Sequence, residues 1–379
     1  MQHLAGQYPL AGMGWQALHY VLGLARLGHD VYYVEDSGAP PYDPRVSSVV
    51  ETCDYGVEFL RRTMEAFDLG DRWAYVDVAR GQCHGLSQAR VDRLYRESDA
   101  LVNVCGATRL REEHLACPIR VYVQSDPVHD QILVAQGNPG TLTALEAHTH
   151  LFTYGENLGH ADCPVPMLKF HWRPTRPPVL MDCWAGAAAA EGAYFTTIAT
   201  WQNASKDITF AGQHYYWSKH VNFLAFADLP ALTPQPLEVA LHAAPPGTHA
   251  MLREKGWHVV SALDRSRDVL PYREHILASR GEFTVAKDLM ARPRSGWFSD
   301  RSVCYLAAGR PVVTQDTGFG KFVPTGAGLF AVATPEAAAA AIDTINGDYR
   351  RHADAARAVA AECFAAEVVL GALCREADL

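Results

Sequence analysis

Short apolar runs alternate with helix-period segments along this chain in two series, and a proline-rich break separates them. This alternation limits the fold more than any other feature. A strand buried on both faces reads as a short continuous apolar run. Runs of that kind separated by amphipathic helices are joined by crossovers and lie parallel. The first series starts with a short strand at residues 3–5, a glycine-containing loop over 6–14 and a helical pattern through residue 27. In that pattern Leu18, Val21, Leu22, Leu24 and Ala25 are apolar. Gly28-His29-Asp30 stops the helix, and residues 31–34 read as a strand. Further strands are expected at 100–105, 120–124 and 151–154, with helices at 56–67 and 87–97.

Around residues 163–193 the pattern fails. Cys163-Pro164-Val165-Pro166 and Arg173-Pro174-Thr175-Arg176-Pro177-Pro178 are followed by small residues at 185–190. Residues 171–193 read as a hinge between domains, and a long surface loop is the other reading. The second series places strands at 194–201, 237–243, 258–261, 283–286, 311–314 and 328–332. Helices are expected at 217–227, 248–255, 272–279 and 299–308, and residues 335–379 read as almost wholly helical. A chain of 379 residues exceeds the size at which one core stops growing. The expectation is an α/β fold of two doubly wound domains, 1–170 and 194–346, with a helical segment 347–379. Ligands of such sheets bind outside the carboxyl ends of the strands, so the expected site is a cleft between the domains.

The polar residues at those strand ends are the candidates for chemistry. Gly12 and Gly14 precede the first helical pattern, where close backbone approach and a helix N-terminus suit an anion; a plain tight turn is the other reading. Gln124-Ser125-Asp126-Pro127-Val128-His129 follows a strand directly. Asp126 and His129 are candidate general bases toward an acceptor hydroxyl, and the alternative is a helix cap beside a solvated imidazole. The densest signal runs from Ser279 to Ser302. Glu282 and Lys287 flank a strand, and Ser295, Gly296, Trp297, Asp300, Arg301 and Ser302 surround the start of a helix. Exposed N–H groups there suit a pyrophosphate, carboxylates suit sugar hydroxyls, and Trp297 offers a flat face to a base or sugar. Thr317 and Gly318 stand in the polar turn after the next strand and complete the expected donor-binding set. Trp201, His214, Tyr215, Tyr216, Trp217 and His220 read mostly as core packing.

Composition narrows the partners. The net charge of -9 disfavours nucleic acid, which needs a basic face. Nine cysteines form no Cys-x-x-Cys pair, so free thiols in a reducing compartment are expected rather than disulfides or zinc. Residues 1–9 show no signal-peptide pattern and no window reaches 18 uninterrupted apolar residues, so a cytoplasmic chain without a membrane span is expected.

With these residues in view, the layout resembles the GT-B glycosyltransferases. Leu24-Ala25-Arg26-Leu27-Gly28-His29-Asp30-Val31 is similar to their "GLxxLGHDV" opening. The stretch from Ser295 to Thr317, with Ala307-Ala308-Gly309-Arg310-Pro311-Val312-Val313 inside it, resembles their donor-binding region. The helical tail resembles the one that crosses back to the first domain. The resemblance implies two Rossmann-like domains facing each other across a cleft. It also implies a hexosyl transfer from a nucleotide-sugar such as a UDP-sugar to a small-molecule or glycan acceptor, in a biosynthetic role. It implies no cofactor beyond that co-substrate, no metal, an acceptor side at Asp126 and His129, and a donor side at Glu282, Lys287 and 295–302. The Glu-x7-Glu pair of the retaining branch is missing from Arg294-Ser295-Gly296-Trp297-Phe298-Ser299-Asp300-Arg301-Ser302. Donor, acceptor, stereochemistry and oligomeric state stay open. A sugar-nucleotide epimerase of the same shape and a catalytically silent binding partner are the alternative readings. A two-lobed binding protein is disfavoured by the missing signal peptide, and a dehydrogenase by the missing Gly-x-Gly-x-x-Gly.

Overall fold

A computed structural model describes residues 1–186 and 192–379; residues 187–191 of the expected hinge lie outside them. The first half builds one mixed sheet. Its strands are β1 (Tyr33–Glu35), β2 (Trp73–Asp77), β3 (Gln82–Gly85), β4 (Ala100–Val104), β5 (Ile119–Gln124), β6 (His150–Thr153) and β7 (Trp172–Pro174). β1 pairs parallel with β2 and β2 antiparallel with β3, while β4 to β7 pair in parallel sequence. Gln2 joins the two groups by bridging Val34 on one side and Asn103 on the other. The N-terminal residues therefore form the centre of the sheet, and Gln2 is 1% exposed. β2, β3 and β7 were not anticipated. Trp73-Ala74-Tyr75-Val76-Asp77 ends in a charge, and Trp172-Arg173-Pro174 sits inside the proline-rich stretch.

The second half is a six-stranded parallel sheet: β8 (Phe195–Thr200), β9 (Leu237–His242), β10 (His258–Ser261), β11 (Gly281–Thr284), β12 (Val312–Gln315) and β13 (Leu329–Val332). Their order is β10-β9-β8-β11-β12-β13. The sequence order thus reverses between β8 and β11, the switch point of the doubly wound fold. Residues of β9 and β11 are nearly all buried, which is why these segments read as apolar runs. β11 begins two residues earlier than its apolar pattern indicates, because Glu282 lies fully inside the sheet. Val285 to Lys287 consequently stand beyond the strand end.

Four helices matter for the site. They are α1 (Ala11–Arg26), α2 (Val269–Ala278), α3 (Asp300–Ala307) and α4 (Ala366–Glu376). α1 begins at Ala11, so the loop expected over 6–14 ends at Leu10 and Gly12 and Gly14 belong to the first helical turn. The helix expected at 217–227 spans only His220–Ala225, because residues 208–215 form a small antiparallel hairpin ahead of it. No helix of the described residues is long and apolar enough to cross a membrane.

α4 packs against α1 in the first half. Their backbones approach closely at Gly23, where a Cβ would stand 2.5 Å from Leu370 Cδ1 and 3.0 Å from the Ala366 Cβ. Replacing Gly23 by Leu forces this seam apart. Overpacking of this kind costs about 1–3 kcal/mol, so Gly23→Leu is expected to lower the thermal midpoint by several degrees, measured by calorimetric melting, with Gly23→Ala milder.

Candidate active site

A cleft of about 340 Å³ opens where α1 of the first half faces the carboxyl ends of β8 and β9. Its walls carry Gln16, Lys219, His242, Tyr272, Lys287, Asp300 and Arg301. The site begins with Arg301. β8 and β11 pair only through Phe195 with Gly281 and Thr196 with Glu282. Beyond that point Arg301 bridges the separating strands. It donates to Glu282 Oε1 (2.5 Å), the Ile198 carbonyl (2.7 Å) and Thr284 Oγ1 (2.7 Å). Glu282 is therefore not open to a ligand: it is fully buried and neutralises Arg301.

Two lysines stand beside Arg301 in the cleft. Lys287 donates to Asp126 Oδ1 at 2.9 Å and lies 3.6 Å from the centre of the Trp217 ring. The Lys219 ammonium has no hydrogen bond or ion pair among the described residues, while the Lys219 carbonyl accepts from Phe223 N. Burial, followed by the charge of Arg301, pushes its ammonium well below the usual lysine range. Lys219 was missed in the sequence because the aromatic cluster around it reads as core. Trp217 of that cluster is 5% exposed yet lines the cleft. Asp300 is the first residue of α3, and its Oδ1 accepts from Gln16 Nε2 at 2.8 Å across the cleft. Ser299 is the N-cap by position but makes no capping bond with its side chain.

The other anticipated residues are distributed as follows. Gly12 lines the cleft, whereas Gly14 packs against Val269 and Phe59. The preceding loop has no free anion site: the N–H groups of Gly6 and Gln7 both donate to the Glu35 carboxylate. Asp126 stands beside the cleft through Lys287. His129 follows Val128, whose φ of 84° is strained for a β-branched residue. The His129 ring meets Trp217 edge-on at 6.1 Å.

Ser295, Gly296, Trp297, Thr317 and Gly318 do not line the cleft; they form the seam between the halves. The Ser295 carbonyl accepts from Asn157 N at 3.0 Å, and Trp297 Nε1 donates to the Ser125 carbonyl at 2.9 Å. Thr317 Oγ1 donates to the Trp297 carbonyl at 2.5 Å. Gly296 has φ +82°, and a Cβ there would stand 2.4 Å from Asn157 N, so a glycine is required for the two halves to meet. Gly318 packs beside the Arg294 carbonyl. Ser302 is buried within α3, and its hydroxyl has no partner among the described residues. Among the described residues, one group has metal-ligand spacing: Asp36, Glu113 and His114. Arg111 already occupies Asp36 at 2.6 Å, and none of the three lines the cleft.

No family model matches the chain, and no curated protein matches its sequence. Solved structures do match its fold. An alpha-glucosyltransferase in complex with UDP and a 13-mer DNA containing a HMU base superposes with a TM-score of 0.56. It is 11% identical and covers 100% of this chain and 98% of its own. AviGT4, a glycosyltransferase involved in avilamycin A biosynthesis, gives 0.53 at 12% identity over 97% and 89%. Sucrose-phosphate synthase from Thermosynechococcus elongatus gives 0.53 at 12% over 95% and 92%. The chain has the GT-B fold of these proteins, two α/β halves about a cleft with a helical C-terminal tail.

Removing Arg301 leaves the Glu282 carboxylate buried without its cation. Breaking a buried pair from one side costs about 3–5 kcal/mol. Arg301→Met is expected to lose that much in urea unfolding, and Arg301→Met combined with Glu282→Leu to recover a large part of it.

Proposed function

We propose that the chain is a hexosyltransferase that moves a sugar from a nucleoside-diphosphate-sugar to a hydroxyl acceptor. The carrying observation is the cleft at the switch point. Three cationic side chains, Lys219, Lys287 and Arg301, line it in a protein of net charge -9, and Lys219 has no counter-ion among the described residues. An anion with more than one negative oxygen suits that arrangement, as does the uncapped start of α3 on the same wall. The GT-B neighbours add the choice of ligand. One of them is described with UDP bound, and two are named as glycosyltransferases.

In this reading the diphosphate lies against Lys219, Arg301 and the first turn of α3. Charge developing on the leaving diphosphate is neutralised by these groups, which is electrostatic stabilisation already in place before reaction. The chemistry then calls on no metal. Asp126 and His129 stand on the first-half side, with Lys287 holding Asp126 toward the donor, and they border the acceptor. Gly12 lies where the two substrates meet. The seam residues Ser295, Gly296, Trp297, Thr317 and Gly318 support the donor wall by fixing the halves together. The described cysteines form no disulfide, and a reducing, cytoplasmic setting fits them. Nucleic acid is no partner in this reading, given the acidic charge.

Calorimetric titration with UDP, GDP, TDP, CDP and ADP tests the proposal. One diphosphate is expected to bind well above the others, with Lys219→Ala and Lys287→Ala each weakening it by about tenfold or more. An anion beside Lys219 raises its lowered pKa, so in the range where that ammonium titrates binding is expected to take up protons and to weaken as pH rises. Titration in buffers of different ionisation enthalpy measures that uptake. A folded protein that binds none of the five overturns the proposal.

A further inference from the structure

Asp300 is the sole carboxyl lining the cleft among the described residues. The other two acids near it are committed to cations: Glu282 to Arg301 and Asp126 to Lys287. Asp300 makes no ion pair among the described residues. Its neighbours instead orient it. Gln16 Oε1 accepts from His3 Nε2 at 2.8 Å and from Cys105 Sγ at 3.2 Å. With His3 as its Nε2–H tautomer both faces of that oxygen are taken, and the Gln16 amide turns its NH2 toward Asp300. Cys105 is itself held, because Ser125 Oγ donates to its sulfur at 3.0 Å. Four residues of the first half thus aim one donor at a carboxylate of the second half. Such a chain is more than a helix cap needs, since Asp300 already sits at the N-terminal end of α3.

We propose that Asp300 is the proton acceptor of the transfer reaction, positioned by Gln16. This rests on the glycosyltransferase reading and assigns the base within it. The acceptor oxygen forms its bond to the anomeric carbon while the bond from that carbon to the diphosphate oxygen breaks. The electron pair leaves with the diphosphate, and the proton of the attacking hydroxyl passes to the Asp300 carboxylate. The cleft histidines are otherwise engaged. His19 accepts from Trp184 Nε1 at 3.0 Å, and His242 is bonded to the Tyr42 hydroxyl at 2.6 Å.

The local charges agree with that task. Burial raises the Asp300 carboxyl to about 7; the nearby Asp126 charge also raises it, while hydrogen bonds from Gln16 and Tyr154 hold it down. Tyr20, Tyr154, Cys105 and Cys304 feel its charge and are themselves pushed up by burial. Lys219, Lys287 and Arg301 are the cations on the same cleft. A base of this strength is half-ionised at neutral pH, where general base catalysis is most effective. Its working form grows as pH rises through 7.

The experiment compares wild type with Asp300→Asn in three readouts. The first is cleavage of UDP-glucose with water as acceptor from pH 5 to 9, where the wild-type rate is expected to rise with a midpoint near 7. Asp300→Asn is expected to lose at least about 100-fold of it. The second is UDP binding by calorimetry, expected to change less than about threefold. The third is the carboxyl 13C resonance of Asp300, taken from the difference between the two labelled proteins without ligand, expected to titrate near 7. Gln16→Met removes a donor to the charged form and is expected to move that midpoint upward. Full cleavage by Asp300→Asn with the wild-type pH profile overturns the proposal, as does a carboxyl titrating near 4. Failure of the wild type to bind any of the five diphosphates is instead the failure of the donor reading, and the ligand-free resonance still decides the state of Asp300.

Discussion

Arg301 joins the two strands at which the second sheet changes direction. β8 and β11 share only two residue pairs before they part, and the guanidinium bridges the opening by bonding to one carbonyl, one hydroxyl and one carboxylate. A planar group with five donors in a fixed fork can do this; a lysine cannot. The consequence is a cleft whose floor holds a fixed guanidinium and whose strand ends are bridged by it. Everything proposed for the site follows from that floor: the uncapped start of α3, the lysines beside it, and the carboxyl of Asp300 one residue earlier.

The halves are held face to face by contacts of a different kind. Trp15 Nε1 donates to the Val269 carbonyl at 2.8 Å, Asn157 meets Ser295, and Trp297 reaches Ser125. These directional bonds fix the relative setting of the halves within a continuous apolar core, in which Trp15, Phe59 and Tyr154 of the first half join Val269, Met290, Trp297 and Phe298 of the second. Lys287 with Asp126 and Gln16 with Asp300 continue the same seam into the cleft itself. Two of the contacts that close the molecule are thus made by groups lining the cleft, so a ligand bound there is expected to couple to the relative position of the halves.

The parallel strands were legible in the sequence because burial on both faces leaves continuous apolar runs, as in residues 237–242 and 312–315. The edge strands were not. Trp73–Asp77 and Gln82–Gly85 carry polar residues where the hairpin meets solvent, and Trp172–Pro174 is hidden among prolines. Of the candidate site, Lys287, Asp300 and Arg301 were readable because charge accumulates after a strand in an acidic chain. Ser295, Gly296, Trp297, Thr317 and Gly318 carry the same signature for another reason. A glycine with positive φ serves a close meeting of two halves as well as a bound phosphate, and local sequence does not distinguish them. Lys219 and Gln16 gave no signal: one lies in an aromatic cluster, the other in an amphipathic helix, and only the tertiary fold turns them toward the same space.

The measurement that bears most directly on the central claim is a crystal structure with UDP bound. The expected result is a diphosphate at the carboxyl end of β8, within hydrogen-bond reach of Lys219 and Arg301 and facing the first turn of α3. A nucleotide seated elsewhere contradicts the claim. One such place is the 520 Å³ groove beside Glu35 and Arg80 in the first half.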